Sequence, residues 1–223
     1  MLRFLWHALR LTVLAVAGIA AAAIFAYRFV DPPLTPLMLM RQAEGSVLHH
    51  ASVPLERIAP ALADAVIASE DNRFCLHHGI DLDAVQDAIE EHDEGRRLRG
   101  ASTITMQVAR NLFLWPGGGF ARKSVEAALA LVIDFAWPKR RIIEVYLNIA
   151  EWGDGIFGAE AAAQAHFAKA AARLTVHEAA LLAAVLPSPL RWSAGKPGPY
   201  VQQRADIIQR RIPTLGPLLD CIR

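Results

Sequence analysis

Chemistry concentrates first in Ser69-Glu70-Asp71-Asn72-Arg73-Phe74, which ends an apolar run and leads into His77-His78-Gly79. A carboxylate at the end of a helix, beside a loop that closes on glycine, can face a cleft and exchange a proton there. Taken singly, Glu70 reads as readily as a surface acid. Adjacent histidines point apart on a helix or strand, so His77 and His78 read as packing or capping groups, not as a metal pair.

A second polar group follows in Gly100-Ala101-Ser102-Thr103-Ile104-Thr105-Met106-Gln107-Val108-Ala109-Arg110-Asn111. With Thr103 to Asn111 helical, Thr103, Gln107 and Arg110 share one face, and Ile104, Val108 and Leu112 another. A stripe of hydroxyl, amide and guanidinium suits sugar hydroxyls and phosphate, whereas an amphipathic helix with a wet side is the plainer alternative. The third group is Arg122-Lys123-Ser124-Val125-Glu126, where Glu126 is i+4 from Arg122 and i+3 from Lys123. That spacing gives a helical ion pair, or a cationic site whose carboxylate orients the cations or helps hold a metal on a pyrophosphate.

The elements that must position these groups read as helices. Ile58, Leu62, Ala65, Val66 and Ser69 trace one helical face, and Leu82, Val85, Ala88 and Ile89 another. Gly95 and Gly100 interrupt the next region, and Pro116 with Gly117-Gly118-Gly119 reads as a loop. Further helices are expected over 122–135, 139–148, the alanine-rich stretch after Gly158, and 175–186, the last with a Thr175/Glu178 capping box. The soluble part is therefore mainly α.

The net charge of +1 leaves no footprint for nucleic acid, but the charge is unevenly placed. Residues 56–94 carry 11 acidic side chains against 2 basic ones, and residues 96–141 carry 9 basic against 2 acidic. The basic stretch suits a phosphate-bearing partner, although a solvated basic face has the same composition. Cys75 and Cys221 show neither a metal spacing nor a disulfide framework, so neither a zinc site nor a structural disulfide is expected.

At the N-terminus, Arg10 and Arg28 bracket an uncharged stretch, Leu11 to Tyr27, which Phe4, Leu5 and Trp6 extend towards the roughly 20 residues that cross a bilayer. Arg3 and Arg10 place the N-terminus in the cytoplasm and the rest of the chain outside it. The alternative is a signal peptide cleaved in the run Ala20 to Ala23; the unbroken apolar run through Ile24 and Phe25 favours the anchor. Asp31-Pro32-Pro33 stops the helix. The reading divides the chain into an anchor (1–30), a linker (31–54) and one domain (55–223).

The order and spacing of these segments resemble the peptidoglycan glycosyltransferase family, most closely its monofunctional biosynthetic members. Glu70-Asp71 through Phe74, His77 and Gly79 match the first family motif; Gly100 through Asn111 match the second; Arg122-Lys123 with Glu126 match the third. Arg141 through Asn148, then Gly153 and Gly158, match the fourth, and Glu178 to Pro189 resembles the last. The likeness spans Leu55 to Trp192, and five ordered motifs outweigh the plainer reading of each. Three residues depart from the pattern. Met106 replaces the first of two glutamines, Arg110 stands for a lysine, and Cys75 lies inside the first motif, where oxidation would matter.

The resemblance implies a lysozyme-like, two-lobed helical domain behind one transmembrane helix, on the periplasmic side of a bacterial inner membrane. It implies a growing glycan on undecaprenyl pyrophosphate as donor, and lipid II, the lipid-linked disaccharide pentapeptide, as acceptor. Glu70 would act as base, and Glu126 would orient the cations or a divalent ion, Mg or Mn. Asp71, Phe74, Ser102, Thr103, Gln107, Arg110, Asn111, Arg122 and Lys123 would bind substrate. Crosslinking is expected from separate transpeptidases. The cations are expected to lower the Glu70 pKa and keep it charged. A lytic enzyme on the same fold would instead need Glu70 protonated in an apolar pocket, with no call for a phosphate-binding cluster. A non-catalytic membrane scaffold would give no reason for the motifs.

Overall fold

Alanine, leucine and isoleucine at helical spacing leave few β-branched runs, and the chain is correspondingly helical. The computed structural model describes residues 1–93, 102–115, 117 and 119–223. Gly95, Gly100, Ala101, Pro116, Gly118 and the side chain of Ile89, all singled out above, lie outside what is described.

The helices among the described residues are α1 (Leu2–Tyr27), α2 (Pro36–Ala43), α3 (Pro60–Glu70), α4 (Leu82–Asp93), α5 (Ile104–Phe113), α6 (Gly119–Ala136), α7 (Lys139–Ile149), α8 (Ala159–Phe167), α9 (Val176–Val185) and α10 (Pro199–Leu215). Three short strands, β1 (His49–His50), β2 (Glu151–Gly153) and β3 (Ile156–Phe157), form one sheet in the order β1-β3-β2. β1 runs parallel to β3, with His49 opposite Ile156, and β2 runs antiparallel to it.

The centre of the domain is α9 against α3. Ala179 through Val185 and Leu62 through Ala68 are buried almost throughout, because alanines on both helices let the backbones approach closely. The capping box at the start of α9 forms as expected, Glu178 N donating to Thr175 Oγ1 and Thr175 N to Glu178 Oε2. α10 packs across both helices, and α5 packs on α6 and α7. The face expected on α4 is only partly covered: Ala88 is buried, but Leu82, its first residue, is exposed where the chain leaves the loop.

Two motif glycines are explained by close approach. At Gly79, φ is +82° and a Cβ would lie 2.7 Å from the Ala130 carbonyl oxygen, so the loop after α3 can pass over α6 only without a side chain. At Gly158, φ is +89° and a Cβ would meet the Asn148 oxygen at 2.9 Å. Asn148 in turn brackets Val53, accepting from its N–H and donating to its carbonyl, and Glu144 accepts from Leu55 N. The fourth motif therefore ties down the chain entering the domain.

α1 is long and apolar enough to cross a membrane, and almost none of it is buried against the rest of the chain. Its last turn is an exception. Ile24 is in the core, Trp137 Nε1 donates to the Ile24 carbonyl at 2.7 Å, and Arg141 Nε donates to the Tyr27 carbonyl at 2.9 Å. The stretch 31–54, read as linker, is extended only in part: Thr35 caps α2, and Met38 on that helix is fully buried.

The two cysteines, expected to remain unpaired, form a disulfide. Cys75 and Cys221 are 146 residues apart in sequence, with Cα atoms 5.6 Å apart. Spacing carried no signal because the pairing is tertiary: the C-terminal turn after α10 folds back beside the loop that follows Glu70. Arg140 Nη1 donates to the Ile222 carbonyl and Arg223 pairs with Asp64, fastening the same turn.

Candidate active site

Glu70 is the last residue of α3, where the helix hydrogen bonds run out and the side chain can turn towards a neighbour. Gln107 of α5 donates from Nε2 to Glu70 Oε2 at 3.1 Å, and its Oε1 accepts from the hydroxyl of Tyr146 on α7, also at 3.1 Å. This chain fixes the orientation of the amide. Arg204 of α10 reaches Glu70 Oε1 at 3.5 Å.

Burial raises the Glu70 pKa above the usual glutamate value; the Gln107 hydrogen bond and the charges of Arg204 and Arg110 oppose the shift without overcoming it, and Asp71 adds to it. The expectation of a lowered pKa is thereby corrected. The cations thought to surround Glu70 are mostly engaged elsewhere, and desolvation outweighs those that remain. Burial also holds the Tyr146 hydroxyl well above its ordinary pKa, so it acts as a neutral donor.

Glu126, on α6, is 1% exposed and fully committed. Its Oε2 accepts from Arg122 and its Oε1 from Lys123, both at 2.6 Å, and Lys123 also donates to Ser102 Oγ at 2.6 Å. The helical spacing read in the sequence is the geometry observed. Each Glu126 oxygen is already engaged by a cation, and no group of three or more His, Cys, Asp or Glu among the described residues is arranged for a metal. Glu126 orients two cations.

Beside the hydrogen-bond partners of these carboxylates, Gln107 and Arg122, opens a cleft of about 460 Å³. Gln107, Arg110, Asn111 and Arg122 line it, together with Tyr146, Arg41, Glu151 and the turn from Leu186 to Arg191. Glu70 adjoins the cleft through Gln107, and Glu126, with Lys123 on it, through Arg122. Among the described residues, Arg110 makes one long hydrogen bond, to Asn111 at 3.4 Å.

Three residues assigned to substrate are placed in the interior instead. Phe74 is fully buried, with the Lys139 ammonium 4.6 Å from its ring centre. Thr103 caps α5, accepting from Met106 N and donating to the Gly79 carbonyl. Asp71 accepts from the Ile104 N–H at the start of α5 and from His77 Nε2. These three hold the loop after α3 against α5, and so hold Glu70 beside Gln107. Their motif positions are accounted for by support of the site.

Sequence reasoning missed Arg41, Glu151, Tyr146 as a site residue, and Arg204. Arg41 of α2 forms a two-pronged pair with Glu151 of β2, at 2.7 and 3.0 Å, and both residues line the cleft wall. The available signal for Arg41 was an arginine in the last turn of a capped, proline-started segment, Thr35-Pro36.

The model of the family described as "Transglycosylase" matches residues 38–212 of this chain. The chain belongs to the transglycosylase family. Among curated relatives, the biosynthetic peptidoglycan transglycosylase of Rhodospirillum centenum is 55% identical over 208 residues, covering 92% of this chain and 90% of that protein. Those of Caulobacter vibrioides and Xylella fastidiosa are 48% and 47% identical, covering 96% and 95% of this chain and 94% and 90% of theirs. The transglycosylase match reaches beyond the five segments at both ends, taking in α2 with Arg41 and most of α10 with Arg204.

Proposed function

We propose that this chain polymerises the glycan strands of peptidoglycan, joining lipid-linked disaccharide pentapeptide to a growing glycan on undecaprenyl pyrophosphate. The observation that carries the reading is the pairing of one largely buried, loosely held carboxylate, Glu70, with a cleft lined by arginines. Glu70 takes the proton of the acceptor sugar's 4-hydroxyl. The freed oxygen attacks the donor's anomeric carbon from the face opposite the pyrophosphate and forms a β-1,4 bond. The C–O bond to phosphate breaks, and its electron pair leaves with undecaprenyl pyrophosphate.

A raised pKa suits this base, because a more basic carboxylate accepts a proton more readily. Arg110, Arg122 and Lys123 supply positive charge where the leaving group builds negative charge. α1 is a single-pass anchor whose basic N-terminus lies in the cytoplasm, with the domain at the periplasmic face of the inner membrane. The disulfide supports that side, since such bonds persist in oxidising compartments. The polymer is then a substrate for separate transpeptidases.

The raised pKa by itself also fits a lytic enzyme with Glu70 as acid. The arginine-lined cleft favours synthesis, since hydrolysis of a neutral glycan generates no pyrophosphate. Incubating the full-length chain with purified lipid-linked precursor, and separately with preformed glycan, tests the choice. Polymer and undecaprenyl pyrophosphate are expected from the first; cleavage of the second without polymer from the first would overturn the reading.

A further inference from the structure

Arg204 approaches Glu70 from α10, beyond every segment that carried the sequence resemblance. Val201, Ala205 and Ile208 are buried where α10 packs on α3 and α9, and Arg204, three residues after Val201 and four before Ile208, lies on the same side. Since α3 ends on Glu70, the seating of α10 on α3 decides where the guanidinium sits. Its Nη2 is 3.5 Å from Glu70 Oε1, with the side chains 29% and 14% exposed. Arg204 Nε is buried and has no hydrogen-bond partner among the described residues. The contact is long for an ion pair and falls short of a good hydrogen bond.

We propose that Arg204 is a positioning residue for the transfer, holding the Glu70 carboxylate ionised and aimed while leaving Oε1 free to take the acceptor's proton. This rests on Glu70 being the base. The groups that face Glu70 divide the work. Asp71, its neighbour in sequence, repels the charge; Gln107 of α5 fixes Oε2; Arg110 of α5 offers charge that the substrate's phosphate also draws on; Tyr146 of α7 holds Gln107; and Arg204 of α10, which is not among the residues lining the cleft, supplies charge to Oε1. A tight pair like that at Glu126 would suppress basicity. A loose one offsets part of the desolvation and leaves the oxygen reactive.

The test is kcat/KM against pH for polymerisation of the lipid-linked precursor by full-length wild type, Arg204→Gln, Arg204→Met, Arg204→Lys and Glu70→Gln, with unfolding temperatures measured in parallel. Replacing Arg204 by Gln or Met should move the acid limb upward by about half to one pH unit, the scale of one nearby, partly exposed charge. Activity within the limb then falls roughly three- to tenfold, and the plateau at higher pH changes by less than about twofold. Arg204→Met keeps the apolar stem and carries the test if the glutamine variant does not fold. Arg204→Lys should return the limb towards wild type. An unmoved limb, or an equal loss at every pH that lysine does not restore, overturns the proposal. If Glu70→Gln is inactive in that case, only the role of Arg204 fails; an active Glu70→Gln would overturn the base assignment and this proposal together.

Discussion

Glu70, largely buried, and Glu126, fully buried, each adjoin the same cleft through a hydrogen-bond partner, yet among the described residues Glu126 is clasped by two cations at 2.6 Å, while Glu70 has one amide at 3.1 Å and one guanidinium at 3.5 Å. The charge of Glu126 is compensated within its own helix. That of Glu70 is not, and burial lifts its pKa accordingly. A carboxylate whose lone pairs are spent on cations organises charge; one left under-compensated has something to gain from a proton. The contrast divides the labour between a proton acceptor and a holder of cations, although both residues are glutamates inside family motifs.

The largest effect expected from breaking this contrast is that of Glu70→Gln, which should lower turnover by about a hundredfold or more while the fold persists. Its stability effect has a definite sign. With the folded pKa raised, ionising Glu70 destabilises the fold, a cost absent below the unfolded carboxylate's pKa and growing as pH rises through the folded one. Glu70→Gln should therefore unfold at a higher temperature than wild type near neutral pH, with the difference closing below about pH 4. A variant destabilised at neutral pH would show that the charge at Glu70 is compensated after all.

The Glu70 side is also braced covalently. Replacing Cys75 and Cys221 together by serine should cost about 2–4 kcal/mol in denaturant unfolding, as loss of a crosslink closing a long loop does. Turnover of the molecules that remain folded should change far less than in Glu70→Gln, because neither sulfur lines the cleft.

At the other carboxylate, Glu126→Gln should cost about 1–3 kcal/mol, less than a fully buried pair because Arg122 and Lys123 are partly exposed. Here turnover and stability should fall together, and added salt should narrow the stability difference. Loss of turnover on the scale of Glu70→Gln with stability intact would make the two carboxylates equivalent and end the distinction.

The smallest expected effect is at Arg110. Arg110→Lys should stay within a few-fold of wild type, whereas Arg110→Gln, lacking the charge, should lose about tenfold or more in kcat. Equal rates for both would remove Arg110 from contact with the leaving group.

How much of this could be read from the sequence depends on distance along the chain. Arg122, Lys123 and Glu126 lie within one helical turn or so, so their spacing predicted their contact. Gln107 and Arg110 were legible in the same way, as one face of α5. Burial was not legible: Phe74, Asp71 and Thr103 share motifs with exposed residues, and only the packing of the loop after α3 on α5 and α6 shows that they support the site. For the same reason the direction of the Glu70 shift was misjudged, since desolvation is set by α5, α7 and α10 together. Arg41, Arg204 and the Cys75–Cys221 bond all join distant parts of the chain, where local spacing is silent. The mainly α architecture and most helix limits were legible because apolar periodicity and capping are local.

The central claim is that Glu70 works as an under-compensated base, and the pH dependence of kcat/KM for polymerisation by the full-length chain tests it most directly. The predicted profile has an acid limb above the ordinary glutamate value of about 4.3, governed by one group and absent from the residual rate of Glu70→Gln, with activity held through neutral pH. A rate that climbs as pH falls through that limb, or a limb at or below the ordinary glutamate value, would contradict it.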